Sequence, residues 1–191
     1  VRSTVGASLL RDTRIDLPFA TAGTMVQFGV SQSGGPLGGT GNFQRIDLEG
    51  RFYAPLGQLG GAGSGSQVKF VLGFSTRSGF VFGSTPFFDQ LFTLGGTQFF
   101  IPLRGYDEAS FTPFGHDPNA SGQGASPNAF GKAFFTMTGE LGVRVSQMLY
   151  LSTFLDAGNV WARAAQYDPT RLFRGAGVGV AIVSPLGPLG L

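Results

Sequence analysis

Apolar and polar residues alternate along most of this chain, which is the pattern of β-strands with one apolar face and one polar face. Five segments alternate clearly and two more weakly; they are residues 43–53, 68–77, 132–145, 148–160 and 174–183, and the weaker 4–15 and 24–33. A further strand begins near Leu186. Strands of about nine to eleven residues match a tilted crossing of a bilayer. The pattern therefore favours a membrane β-barrel.

The polar face of the segment 43–53 favours a membrane barrel over a soluble fold. Its charged residues alternate with apolar ones, and they are Arg45, Asp47, Glu49 and Arg51. A soluble core strand would not bury four charges in a row, whereas a water-filled lumen can hold them. A soluble β-sandwich or a lipid-binding barrel stays open as the alternative, because strands of those folds also alternate.

Composition excludes several classes of function. Charged residues make up 13% of the chain, about half the usual share of a soluble protein. There is no apolar run of about 18 residues for a transmembrane helix, and no cluster of Lys and Arg for nucleic acid. Cysteine is absent and His116 is the one histidine. We therefore expect no enzyme activity, no cofactor, no metal site and no nucleic-acid partner.

The connections between the predicted strands are unequal in length. Residues 15–23, 54–66 and 145–148 form short links, whereas residues 84–130 form a very long loop. Loops of that length are usually functional or disordered, and alternating short turns and long loops are typical of the two ends of a membrane barrel.

Five short motifs follow one another along the chain. They are Arg11-Asp12-Thr13-Arg14 before Gly23-Thr24, Gly34-Gly35-Pro36-Leu37-Gly38-Gly39 before Phe43, Gly95-Gly96 before Leu103-Arg104-Gly105-Tyr106, Phe154 with Asp156 and Gly158, and Gly177-Val178-Gly179 before Ser184-Pro185-Leu186-Gly187-Pro188-Leu189. In this order they resemble the BamA/TamA superfamily of outer-membrane assembly barrels, which includes two-partner secretion transporters. The resemblance is greatest to the C-terminal half of the BamA barrel.

The chain departs from the family pattern at a few positions. Leu103 stands where Val or Ile is usual, and seven residues separate Gly96 from Arg104. In the first turn, Ile15-Asp16-Leu17 replaces the usual Asp-Asn.

The resemblance implies an all-β fold, an antiparallel transmembrane β-barrel. Residues 1–191 would supply its C-terminal part, about seven or eight strands of about 16, with the loop at about 84–130 folded inward. The POTRA repeats and the final strand are not in this sequence, so we expect it to belong to a longer protein.

The function implied is insertion and folding of other proteins in the outer membrane of a Gram-negative-type bacterium. Unfolded outer-membrane clients, outer-membrane lipid and accessory lipoproteins would be the partners. A TamA-like or two-partner-secretion translocation pore is one alternative, and a soluble or surface β-protein with a binding loop is another.

The resemblance also assigns roles to residues of the inward loop and the lumen wall. Arg104 should form an ion pair with Glu140 and Asp156 in the lumen, because one guanidinium can bind two carboxylates. We call this group the loop lock. Gly105 should permit close backbone approach, and Tyr106 should pack on the wall. Phe154 and Gly158 complete the supporting strand motif, with Gly158 making room for the loop.

Other conspicuous residues receive simpler interpretations. Arg144 and the row from Arg45 to Arg51 are interpreted as ordinary lumen charges, and Trp161 and Tyr167 as residues of the interfacial aromatic belt.

Overall fold

Among the residues that the structure describes, eight strands form one antiparallel sheet. The structure is a computed structural model, and it describes residues 1–60, 67–85, 91–97, 101–120, 130–184 and 187–190. The strands of the sheet are β1 (Thr4–Asp12), β2 (Gly23–Gly34), β3 (Asn42–Leu59), β4 (Val68–Ser84), β7 (Ala133–Arg144), β8 (Leu149–Trp161), β9 (Phe173–Ser184) and β10 (Gly187–Gly190). The helical segments described are two short 3₁₀ turns, Gly35–Leu37 and Ala164–Gln166. No helix among the described residues is long and apolar enough to cross a membrane.

The sheet follows chain order, β1-β2-β3-β4-β7-β8-β9-β10, and all its neighbouring strands pair antiparallel. It is open in the part of the chain described, with β1 and β10 at its two edges. The predicted all-β barrel fold is confirmed, with this chain forming part of a barrel. Leu186 itself lies outside the described residues, and the strand predicted to begin near it is β10, which starts at Gly187 and pairs with β9.

The two faces of the sheet differ in the way the alternation predicts. Large apolar side chains on the outer face are exposed, among them Leu48, Phe52, Leu72, Phe74, Leu141, Leu151, Leu155 and Val178. The inner face carries most of the charged strand residues, among them Asp47, Glu49, Glu140 and Asp156. An outer wall of this composition suits the hydrocarbon core of a bilayer, because apolar side chains have no hydrogen bonds to water that lipid would remove.

Two strands are longer than the alternation predicted. β3 runs to Leu59 instead of residue 53, and β4 runs to Ser84 instead of residue 77. In β3 the ladder continues past Pro55 by a bulge between Pro55 and Gly57. Proline lacks a backbone donor and is tolerated in a sheet at such a bulge, so the Pro- and Gly-rich sequence here continues a strand and only later turns.

The long loop folds onto the inner wall, as far as it is described. Its apolar residues join wall residues in a buried cluster consisting of Phe43, Val81, Phe92, Leu94, Leu103, Phe111, Phe134 and Val160. The loop is more regular than the sequence predicted, because β5 (Phe111–Thr112) and β6 (Gly115–His116) form a small hairpin within it. This cluster positions Arg104, which follows the buried Leu103 directly.

Candidate functional site

Arg104 of the loop and Asp156 of β8 form the most direct contact between the loop and the wall. Arg104 Nε donates to Asp156 Oδ2 at 2.7 Å, and Nη2 donates to Oδ1 at 2.8 Å. The backbone N–H of Arg104 also donates to Oδ2, at 3.2 Å. Thr138 Oγ1 on β7 donates to Oδ1 at 2.8 Å. Both oxygens of the buried carboxylate therefore accept hydrogen bonds, from Arg104 and from Thr138.

Glu140 of β7 contacts the same guanidinium more weakly. Its Oε2 lies 3.6 Å from Arg104 Nη1, and its Oε1 accepts a hydrogen bond from Tyr150 Oη at 2.8 Å. The structure thus brings the three residues of the predicted loop lock together, with Asp156 as the close partner. Their functional role stays a prediction.

Phe154 has a contact that sequence reasoning missed. The guanidinium of Arg104 lies over its ring, with Cζ 3.4 Å from the ring centroid. A cation over an aromatic face is attracted by the electron density of the ring. The available signal was the alternation of β8, which places Phe154 on the polar inner face. A Cβ at Gly177 would lie 2.7 Å from Phe154 Cζ, so Gly177 leaves the space that the ring occupies.

The prediction that Gly105 is a glycine because the backbone approaches it closely is wrong. A Cβ at Gly105 would meet nothing within 4 Å, so no backbone approaches it closely. The residue has φ of +91°, in the region that side chains other than glycine avoid. Glycine at this position therefore allows the backbone to turn directly after Arg104.

Close approach occurs at glycines of the wall instead. A Cβ at Gly175 of β9 would overlap the carbonyl oxygen of Arg104. A Cβ at Gly158 of β8 would lie 2.9 Å from Thr136 Cγ2 and 3.1 Å from Leu94 Cδ2. The space predicted beside Gly158 is therefore present, and the loop residue Leu94 uses it.

Tyr106 fixes the loop to a third strand. Its Oη donates to the carbonyl oxygen of Arg174 on β9 at 2.7 Å. Its ring packs edge-on against Phe111, with centroids 4.6 Å apart, and against His116 at 5.3 Å. His116 is thus part of the aromatic packing around the loop.

The electrostatics of Arg104 follow from these contacts. Burial disfavours the charged guanidinium, but the hydrogen bonds to Asp156 and the charges of Asp156 and Glu140 outweigh it and raise the pKa of Arg104. Among the described residues, no group of three or more His, Cys, Asp or Glu side chains is placed to hold a metal ion. The arrangement joins the loop to β7, β8 and β9.

The predicted belt residues lie at the loop end of the outer wall. The ring of Tyr167 is 4.9 Å from Trp161 and 5.1 Å from Phe80, and Trp161 is buried. The position agrees with an aromatic belt, but Tyr167 covers Trp161, so Trp161 has little surface of its own to present to lipid.

Comparison with known proteins agrees with this geometry. The family model described as the Omp85 superfamily domain matches residues 1–191. The chain is similar to the crystal structure of BamA from Haemophilus ducreyi lacking POTRA domains 1–3, with a TM-score of 0.69 and 20% sequence identity over 98% of this chain. The chain spans 37% of that protein chain. None of the curated proteins compared with the chain matches it.

Proposed function

The chain belongs to the Omp85 superfamily, which serves outer-membrane protein biogenesis and translocation, and from this premise we propose that it is part of a BamA-like assembly factor. Residues 1–191 would form the C-terminal part of the barrel domain in the outer membrane of a Gram-negative-type bacterium. The protein would insert and fold other outer-membrane proteins there. Bond chemistry is not part of this proposal.

The observation that carries the proposal is the attachment of the loop to three adjacent strands. Thr138 and Asp156 bring β7 and β8 to the loop lock, and Tyr106 reaches β9. A loop that is held by buried charged hydrogen bonds and an apolar cluster keeps this part of the wall in one arrangement. An assembly barrel needs such a rigid part if its seam opens elsewhere.

The mechanism proposed for the whole protein is strand addition. A client strand would pair with an exposed strand edge, where free backbone donors and acceptors form the new ladder. Local thinning of the bilayer near the barrel would lower the barrier to insertion. Unfolded clients, outer-membrane lipid and accessory lipoproteins are the partners in this scheme.

A translocation pore of the TamA or two-partner-secretion type is the competing function. A pore passes its client through the lumen, so the loop would have to leave the inner wall. The contacts of Arg104, Phe154 and Asp156 favour a loop that stays in place. A soluble protein fits poorly, because Leu155 and Val178 would be 68% and 77% exposed to water along with the rest of the outer face.

The test uses the full-length parent protein in liposomes. An unfolded reporter barrel is added, and its folding and protease protection in the membrane are followed. The proposal predicts faster folding than in empty liposomes and a loss of that acceleration in Arg104→Ala. Arg51→Ala, whose ion-pair partner Glu49 lies on the same strand, is the matched control. Passage of the client into the vesicle interior, without faster folding, would support the translocation pore instead.

A further inference from the structure

Two cations stand next to each other on the inner wall, near the end with the short turns. Lys69 of β4 pairs in register with Arg144 of β7, and Arg144 pairs with Tyr150 of β8. Like charges directly opposite each other on one face of a sheet repel and destabilise the pairing. An anion between them would remove that penalty.

Asp16, in the turn of residues 13–22 between β1 and β2, supplies this anion. Lys69 Nζ donates to Asp16 Oδ2 at 2.7 Å, and Arg144 Nη1 lies 3.3 Å from the same oxygen. Thr21 Oγ1 in the turn also donates to it, at 2.5 Å. Arg144 Nη1 further donates to the backbone carbonyls of Asp16 at 3.0 Å and Phe19 at 3.3 Å. Arg144, interpreted from the sequence as an ordinary lumen charge, therefore binds the turn.

The turn also has apolar contacts with the wall. Phe19 stacks on Tyr150, with ring centroids 5.1 Å apart and planes 13° from parallel. Phe19, Ala20 and Thr21 are all buried. A turn that only linked two strands would project away from the sheet, whereas this one folds onto its inner face.

Tyr150 contacts both the turn and the loop lock. Its ring stacks on Phe19, and its Oη donates to Glu140, the second carboxylate beside Arg104. A Cβ at Gly142 would overlap the hydroxyl of Tyr150, so this glycine lets the side chain lie along the wall toward Glu140. One continuous set of contacts therefore runs from Asp16 to Asp156.

We propose that the turn of residues 13–22 is a second inward latch, coupled to the loop lock through Tyr150 and Glu140. Release of the turn frees the Tyr150 ring, which loosens Glu140 and then Arg104; release of the loop acts on the turn in the reverse direction. Coupling between two sites is reciprocal. The latch holds the turn on the inner wall whether the protein is an insertase or a translocation pore.

Cysteine labelling of the turn measures its opening directly. In the full-length protein in lipid nanodiscs, with other cysteines removed, Ala20→Cys reports a side chain that is 5% exposed, and Ile15→Cys in the same turn reports one that is 56% exposed. A hydrophilic maleimide should label position 20 much more slowly. Equal labelling rates at the two positions would show that the turn does not close on the wall.

Asp16→Asn tests the ion pair without altering the backbone. Asp16 has φ of +64°, and asparagine adopts this left-handed conformation as readily. Loss of hydrogen bonds to a charged group should raise the labelling rate of Ala20→Cys by about tenfold. An unchanged rate would overturn the latch.

The coupling is tested from the distant end. Arg104 forms no hydrogen bond or ion pair with the described residues of the turn, although it lines the same cavity as Phe19 and Ala20. Arg104→Ala should also accelerate labelling at position 20. In a Tyr150→Phe background, which keeps the stacked ring and removes the hydroxyl, Arg104→Ala should add nothing. Acceleration that persists in this background, or no effect of Arg104→Ala at all, would refute the coupling. If Arg104→Ala does not fold, Arg104→Lys takes its place.

Discussion

The loop lock and the row of charges on β3 and β4 use the same residue types on the same face of the sheet, yet their closest ion pairs differ in what they connect. We call the row of Arg45, Asp47, Glu49, Arg51 and Arg77 the charge ladder. In it, Arg45 binds Asp47 at 2.7 Å and Arg51 binds Glu49 at 2.6 Å, two residues apart on one strand. Arg104 and Asp156 are 52 residues apart.

Solvent exposure separates the pair of Arg45 and Asp47 from the pair of Arg104 and Asp156. The Asp47 side chain is 47% exposed, whereas that of Asp156 is 4% exposed. Exposed ion pairs contribute about 0–1 kcal/mol because water and salt screen them, but removing one partner of a buried pair costs about 3–5 kcal/mol. The comparison teaches that distance along the chain and burial, more than the charges themselves, determine which pair holds tertiary structure.

The largest effect is expected from Asp156→Ala. It leaves Arg104 partly buried without its bidentate partner, so the free energy of unfolding should fall by about 3–5 kcal/mol. Asp47→Ala is the matched control and should lower it by less than about 1 kcal/mol. Denaturant unfolding of the full-length protein in lipid vesicles measures both. Similar losses for the two variants would erase the distinction between lock and ladder.

Much of this contrast could be predicted from the sequence, and part of it could not. Alternation placed Glu140, Asp156 and the charge ladder on the inner face, because the period of a strand is two residues. It could not predict which wall residues the loop would reach, since that depends on packing between residues far apart. The stacking on Phe154 went unrecognised for this reason, and so did the identity of the loop residue that approaches the inward Gly175. The contacts of Asp16 could not be predicted from the sequence, because its partners Lys69 and Arg144 lie 53 and 128 residues away along the chain.

Gly175→Ala sharpens the comparison by pushing the loop instead of removing a charge. Its Cβ would overlap the carbonyl oxygen of Arg104, so the loop backbone must move, at a cost of about 1–3 kcal/mol of unfolding free energy. Gly139→Ala on β7 meets nothing within 4 Å and should be neutral or slightly stabilising. Unfolding experiments in vesicles compare the stability of Gly175→Ala and Gly139→Ala. Equal stability of the two variants would mean that the loop does not lie in close contact with β9 at Gly175.

Arg104→Lys keeps the charge but loses the planar fork. Lysine cannot form the two parallel hydrogen bonds to Asp156 or cover the Phe154 ring in the same way, so we expect a loss of about 1–2 kcal/mol in unfolding free energy. Arg51→Lys in the charge ladder, where the partner Glu49 lies on the same strand, should change it far less. The idea of bidentate binding would be abandoned if Arg104→Lys matched the wild-type protein in stability and activity.

The smallest effect concerns pH and the turn latch. Hydrogen bonds from Lys69 and Thr21 lower the pKa of Asp16 below its ordinary value of 3.8. The folded protein therefore binds this proton less tightly than the unfolded chain does. The stabilisation is present above pH 3.8 and is lost as the pH falls from there through the lower folded pKa.

The Asp16→Asn variant lacks this stabilisation at every pH. The difference in unfolding free energy between the wild-type protein and the variant should therefore be greatest above pH 3.8 and shrink in acid. A difference that does not change with pH would show that the charge of Asp16 is not what holds the turn.

A double-mutant cycle between Arg104 and Asp156 tests the central claim most directly. The unfolding free energies of the wild-type protein, Arg104→Ala, Asp156→Ala and the double variant give the coupling energy, and the same cycle on Arg45 and Asp47 gives the reference. The account predicts a coupling of about 1.5–3 kcal/mol for the lock and less than about 1 kcal/mol for the ladder pair. Equal coupling energies in the two cycles would contradict it.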